Sequence, residues 1–382
     1  MTQNTEQNMA PVIEKKRLLS IDALRGFDMF WILGGEKLFA ALFMISGWSF
    51  FQVAAEQMEH SSWHGFTAYD LIFPLFIFLS GVSLGIGAKP LTSYPADKAQ
   101  SIVRHGYKRL FLLIFFGVLY NHGWGTGIPM ALDEIRYASV LGRIGISWFV
   151  AAMLVWYVSV RNQWLVAIVI LITYWLLLQF VTLDGLGGGN FSAEGALNVW
   201  FDQHLLPGIT YRQLPMDPEG LLSNLPSIVN ALAGVFTGRF IIKHRTNGGF
   251  LISRLCLIAI GLLLLGYAWD LIFPINKSLW TSSFVLVTVG YSMLLLTLFY
   301  FLIDVLGSHL WAKCLAVIGM NSIIIYLASS LVNWQYSSQS LFGGLISVLP
   351  AGWQQLTLYG GMLLLQWLFL YWLYCRKIFI KV

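Results

Sequence analysis

Ten apolar runs divide this chain, at roughly 20–45, 68–87, 110–124, 140–160, 164–183, 222–242, 252–273, 282–304, 314–334 and 356–374. A helix needs about 20 mostly apolar residues to cross the hydrocarbon core of a bilayer. Inside that core every backbone N–H and C=O must be satisfied within the segment, and a helix does so. The runs therefore predict an all-α, polytopic integral membrane helix bundle of about ten transmembrane helices. Charge agrees: 11% of the 382 residues are charged, against about 25% in soluble domains. The 16 tryptophans and 16 tyrosines suit membrane–water interfaces, where one ring edge is wet.

The distribution of basic residues predicts an orientation. With the N-terminus in the cytoplasm, inner loops hold sixteen of the 23 Lys and Arg residues, among them Lys15, Lys16, Arg17, Arg104, Lys108, Arg109 and Lys243. Outer loops hold Arg136, Arg212 and Lys277. This asymmetry places both termini in the cytoplasm and the segment between the first two spans outside. The expected organisation is a cytoplasmic N-terminal tail, 1–17, and a single transmembrane domain, 18–382, with long outer loops at 121–139 and 184–221. The polar start lacks the short apolar stretch and small-residue cleavage site of a signal peptide, so the first helix is expected to stay as an uncleaved anchor. The net charge of +5 resides in short loops and is no nucleic-acid signal. Gly185, Gly187, Gly188 and Gly189 lack the phosphate-loop pattern. Cys256, Cys314 and Cys375 have no metal spacing and read as free thiols in apolar packing.

The segment 59–83 concentrates the chemistry. His60, Trp63 and His64 precede Asp70, which opens an apolar run. His60 and His64 have i,i+4 spacing, but no third ligand is fixed and H-E-x-x-H is absent, so no metal is expected. Three roles stay open for His60: a base, an acyl-accepting nucleophile, or an interfacial hydrogen-bonding residue. Asp70 is placed to fix its tautomer. Ionisable residues inside spans are functional candidates by default. Asp22 and Arg25, three apart, can pair on one helical face, or Arg25 can meet an anionic ligand from the cytoplasm. Arg239 with Lys243 has the same two readings, and arginine forks suit phosphates. Arg143 either pairs with Asp133, Glu134 or Asp70, or orients a substrate. Asn321 and Ser322 read as interhelical hydrogen-bonding groups.

Several motifs carry a family resemblance across most of the chain. The stretch 60–74, HSSWHGFTAYDLIFP, fits H-x-x-W-x-G-x-T-x-x-D-L-x-F-P. Around it stand RLLSIDALRG at 17–26, VLGRIG at 140–145, DPEGLL at 217–222, NKSLW at 276–280 and GMNS at 319–322. With these the chain resembles the heparan-α-glucosaminide N-acetyltransferase family of transmembrane acyltransferases, and looks like a bacterial member. It departs from the family at His64, where asparagine is frequent, and at 34–37, where an asparagine-containing turn is expected.

The resemblance implies an enzyme that takes acetyl-CoA from the cytoplasm and acetylates an amino sugar or glycan on the far side of the cell inner membrane. It puts His60 on the active-site histidine, and Asp70, Arg143 and Asn321 on nearby motif positions. Trp63 and His64 join the acceptor side. Arg25, Arg239 and Lys243 are the expected contacts of the CoA phosphates. Expected partners are the acceptor and membrane lipid, with a homodimer left open. The rival class is a transporter or flippase for a lipid-linked or anionic solute, and no internal repeat of the transporter kind is evident.

Overall fold

A computed structural model describes residues 18–122 and 131–380. The 1–17 tail and the middle of the 121–139 loop lie outside the described residues. Helix α1 (Leu19–Phe30) passes through a π-helical turn, Trp31–Gly35, into α2 (Lys37–Ser46). Gly34 there has φ +117°, a conformation open to glycine, and the two arms meet at 62°. The first apolar run is therefore a broken helix. The short α3 (Ser49–Gln57) leads to the histidine-bearing loop, then to α4 (Ile72–Gly87). Helix α5 (Ala96–His122) is followed by α6 (Val140–Tyr157) and α7 (Val160–Phe180). A β-hairpin, β1 (Thr182–Leu183) with β2 (Leu186–Gly187), and α8 (Leu197–Leu205) give structure to the 184–221 loop. Then come α9 (Asn224–His244), α10 (Gly248–Asp270) and α11 (Ser282–Tyr300). The chain ends in α12 (Leu310–Met320), α13 (Ser322–Leu331), α14 (Trp334–Val348) and α15 (Ala351–Cys375).

The molecule is an all-α polytopic membrane bundle. Among the described residues seven helices are long and apolar enough to cross a bilayer, or nine when each of two bent pairs is one span. The second bent pair, α12 and α13, breaks at Asn321. Against the ten expected, the difference lies in α5. Its second half carries the apolar 110–124 run as far as His122, but Arg104, Lys108 and Arg109 sit on the same helix.

Helices α4, α9 and α11 are mostly buried, whereas α7, α10 and α15 are mostly exposed to the surroundings. The inner helices approach closely because their contact faces are glycine. A Cβ on Gly81 would lie 1.9 Å from the Ala231 carbonyl oxygen, and one on Gly234 would lie 2.0 Å from that of Phe78. Gly81 with Gly85, and Gly234 with Gly238, repeat every fourth residue, the spacing that brings membrane helices into backbone contact. Gly81 meets Ala231 and Gly85 meets Val235, so α4 and α9 run parallel. Helices α1 and α12 cross in the same way at Gly26 and Gly319. The crossings fix α4 against α9 and α1 against α12, and the site is built where α4 begins and on the loop before α11.

Candidate active site

The His60 site begins with a helix cap. Thr67 and Asp70 form a capping box at the 3-10 turn Ala68–Leu71 that starts α4. Asp70 is fully buried, and its Oδ2 accepts from the backbone N–H of Thr67 and of Ser61, each at 3.2 Å. The Thr67 hydroxyl donates to the Glu59 carbonyl at 2.6 Å. These bonds turn the loop back on itself and leave Asp70 Oδ1 facing the His60 ring, 2.8 Å from Nδ1. A carboxylate accepts only, so Nδ1 carries the proton and Nε2 holds the lone pair. His60 itself is 53% exposed, so its ring can be reached. Tyr69 packs against it with ring centres 4.8 Å apart.

A third residue, which the sequence reading placed only in an outer loop and the NKSLW motif, completes the cluster. Lys277 Nζ lies 3.3 Å from His60 Nε2, 3.0 Å from Nδ1 and 3.4 Å from Asp70 Oδ1. Lying near both ring nitrogens, the ammonium sits over the face of the imidazole, off the in-plane Nε2 lone pair, and it pairs with the carboxylate. Burial lowers the pKa of Lys277, while Asp70 and Glu219 pull it the other way. Asn276 locks the two loops together. Its Nδ2 donates to the Trp63 carbonyl at 2.8 Å and lies 3.4 Å from His64 Nδ1, while its Oδ1 accepts from Leu279 N at 2.8 Å. Gly65 N donates to the Ile275 carbonyl. Trp63 Nε1 reaches the Phe191 carbonyl at 2.8 Å and ties the 184–221 loop to the same clamp. Burial pushes the pKa of His64 down.

Carboxylates and an arginine hold the neighbouring loops over this end. Arg136 grips Asp217 with Nε and Nη2, both at 2.7 Å, and also pairs with Glu219. Such two-pronged pairs are geometrically specific. Arg136 takes these partners beyond the sequence reading, and Arg143 does not pair with Asp133, Glu134 or Asp70. Its guanidinium instead donates to Ser223 Oγ and stacks on Trp280, 4.6 Å from the ring centre. Asp202 lies beneath, accepting from Asp217 N at 3.0 Å and Leu221 N at 2.9 Å. Burial pushes the Asp202 carboxyl up to about 6 from 3.8. The folded state thus holds this proton more tightly than the unfolded chain. The stability it contributes is full below 3.8 and is lost as pH rises through about 6. The melting temperature should fall between pH 4 and pH 7 by more than in Asp202→Asn; parallel slopes would remove Asp202 as the source.

Below the site runs a cavity of about 310 Å³. Its upper wall includes Phe73, one turn beyond Asp70, and Val140; Tyr326 also lines it. Toward the far end of α4 it meets Arg25 and Arg109, with Ser80 and Ser83 between. Arg25 donates to Ser83 Oγ at 2.5 Å and lies 3.7 Å from Asp22, the pairing read from their spacing. Ser83 is about 20 Å along the α4 direction from Asp70. Arg109, stacked 4.1 Å over Trp148, is a second guanidinium that the sequence reading assigned to topology alone. Arg239 and Lys243 reach the same end of the bundle on α9 but do not line this cavity. Arg239 donates to Gln163 Oε1 at 2.7 Å, and Lys243 is exposed. Asn321 is likewise away from His60. It donates to the Ile378 carbonyl at 3.0 Å and accepts from Ile380 N, holding the C-terminal segment as a cavity wall. Among the described residues no cluster of three or more His, Cys, Asp or Glu is arranged to hold a metal ion.

Fold and site together define a class: a multi-pass α-helical membrane protein with a His–Asp–Lys cluster at one end of its bundle, above a cavity reaching toward the other. The sequence comparisons narrow it. The chain is similar to the heparan-α-glucosaminide N-acetyltransferases: it is 28% identical to that protein of Mus musculus over 328 residues and to that of Homo sapiens over 369. These matches cover 72% and 81% of this chain. The chain spans about half the length of these relatives, 49% and 52%. No family model matches the chain.

Proposed function

We propose that this chain is a membrane acetyltransferase that moves an acetyl group from acetyl-CoA to the amine of an amino sugar or glycan. The observation that carries the reading is the His60 Nδ1–Asp70 bond, which leaves a reachable Nε2 lone pair above the cavity. The kinship to two N-acetyltransferases supports the same chemistry. Arg25 and Arg109 attract the CoA phosphates at the lower end, and the acyl group extends up the cavity toward Phe73. Arg239 and Lys243 add positive charge at that end. The acceptor sits on the His60 side, against His64 and Trp63.

His60 Nε2 takes the proton of the attacking amine, or it receives the acetyl group first and hands it on. Both routes need the same lone pair, which the ammonium over the ring face leaves open to the acceptor. Asp70 keeps Nδ1 protonated and stabilises the imidazolium that forms. With the basic loops inside, the donor comes from the cytoplasm and the acceptor lies outside, in a bacterial inner membrane.

Purified protein in lipid, given acetyl-CoA labelled in the acetyl group and glucosamine as acceptor, should yield labelled N-acetylglucosamine. Separately, acetyl-CoA should raise the melting temperature by mass action. No stabilisation at millimolar acetyl-CoA, together with no labelled product, would sink the acetyl-transfer reading and favour solute transport.

A further inference from the structure

Arg143 stands on the partition between the cavity and the His60 cluster. Its neighbours on α6, Val140, Leu141 and Ile144, line the cavity. Its guanidinium lies 5.8 Å from the ring centre of Phe73, another lining residue, and 4.6 Å from Trp280. Trp280 in turn ends the short motif that carries Lys277. Arg143 is 1% exposed, and Nη2 donates to Ser223 Oγ. Its Nε and Nη1 have no partner. A buried donor left idle is costly, and more so when it belongs to a charged group. The carboxylate nearest in charge, Glu219, is already held by Arg136. Lys277 feels the charge of both Glu219 and Arg143, so the two cations share this wall.

We propose that Arg143, with Lys277 beside it, forms a carbonyl-oxygen site that binds the thioester oxygen of the acyl donor and holds the oxyanion of the tetrahedral intermediate. The inference rests on the acetyl-transfer reading and assigns the polar group that reading lacks. The idle Nη1–H of Arg143, which points away from the idle Nε–H, offers a donor to one lone pair of the oxygen, and the Lys277 ammonium offers one to the other. Phe73 and Trp280 hold the guanidinium plane, and since its idle atoms are sealed from the cavity, a lining side chain must swing aside before the oxygen meets them. The amine lone pair forms the new C–N bond, and the carbonyl π pair moves onto the oxygen facing Arg143. His60 Nε2 takes the amine proton. The oxygen pair then returns, the C–S bond breaks, and the thiolate of CoA receives that proton from His60. As the carbonyl oxygen arrives, Lys277 turns to it from the face of the imidazole.

The test is the infrared stretch of acetyl-CoA carrying 13C at the thioester carbonyl, bound to His60→Ala protein so that the donor is not consumed. Adding Arg143→Met should move this band to higher frequency, because hydrogen bonds to the oxygen are lost. Binding of CoA itself, which has no such carbonyl, should not change and reports that the variant is folded. In the His60-containing enzyme Arg143→Met should lower kcat about 10²–10³-fold. Should Arg143→Met fail to fold, Arg143→Lys keeps the charge and should give an intermediate band. An unshifted band in a variant that still binds CoA would overturn the carbonyl site alone. Absence of any bound acetyl-CoA in His60→Ala would overturn the acetyl-transfer reading and this site with it.

Discussion

Replacing His60 by alanine should stop acetyl transfer while leaving the bundle intact. Acid–base catalysis by a placed side chain contributes about 10²–10⁴-fold, and here the same imidazole serves either route, so the loss should reach the upper part of that range. The fold should tolerate the change because the side chain is 53% exposed and fills no core. Asp70 keeps its bonds from Ser61 and Thr67 in the variant, so the cap of α4 survives. The measurement is turnover of labelled acetyl-CoA beside a thermal melt of the same preparation. Undiminished turnover in a protein that melts normally would end the role given to His60.

The second large effect concerns the fold. Gly81→Leu should prevent assembly of α4 against α9, because the first added carbon already falls 1.9 Å from a backbone oxygen. Overpacking a core costs about 1–3 kcal/mol when side chains can yield; here the obstacle is backbone, and the cost should exceed that range. Gly261→Leu on α10, where a Cβ meets nothing within 4 Å, is the control and should melt near the parent temperature. Equal melting of the two variants would show that the crossing is looser than its geometry demands.

Much of this molecule was readable from the chain. The apolar runs gave the membrane bundle because length and hydropathy alone decide whether a segment spans. Asp22 with Arg25, and His60 with Asp70, were legible because each pair is close in sequence and lies on one cap or helix face. Lys277 was not, since a loop residue 217 positions from His60 leaves no periodicity to follow. The one available signal was its place in the NKSLW motif beside Asn276. Arg109 was masked by its own charge, which reads as topology control until α5 is seen carrying it into the cavity. Asn321 shows the opposite limit: its motif suggested the His60 site, whereas the break between α12 and α13 directs it to the C-terminal segment. A motif marks that a position matters, and only packing decides what it touches.

The clamp between the His60 and Lys277 loops also bears on how the protein is made. A chain enters the membrane from its N-terminus, and domains tend to form in the order of synthesis. His60, Asp70 and the cap of α4 are available early, but their partner Lys277 emerges only after α10. Until then the Asn276 bonds to the first loop are also missing. A half-made protein thus carries this cluster unassembled, and under the proposed function competence for chemistry becomes a late checkpoint in biogenesis. Ribosome-arrested chains would divide sharply by length, those ending before Asn276 lacking a closed site and those extending through α11 possessing it.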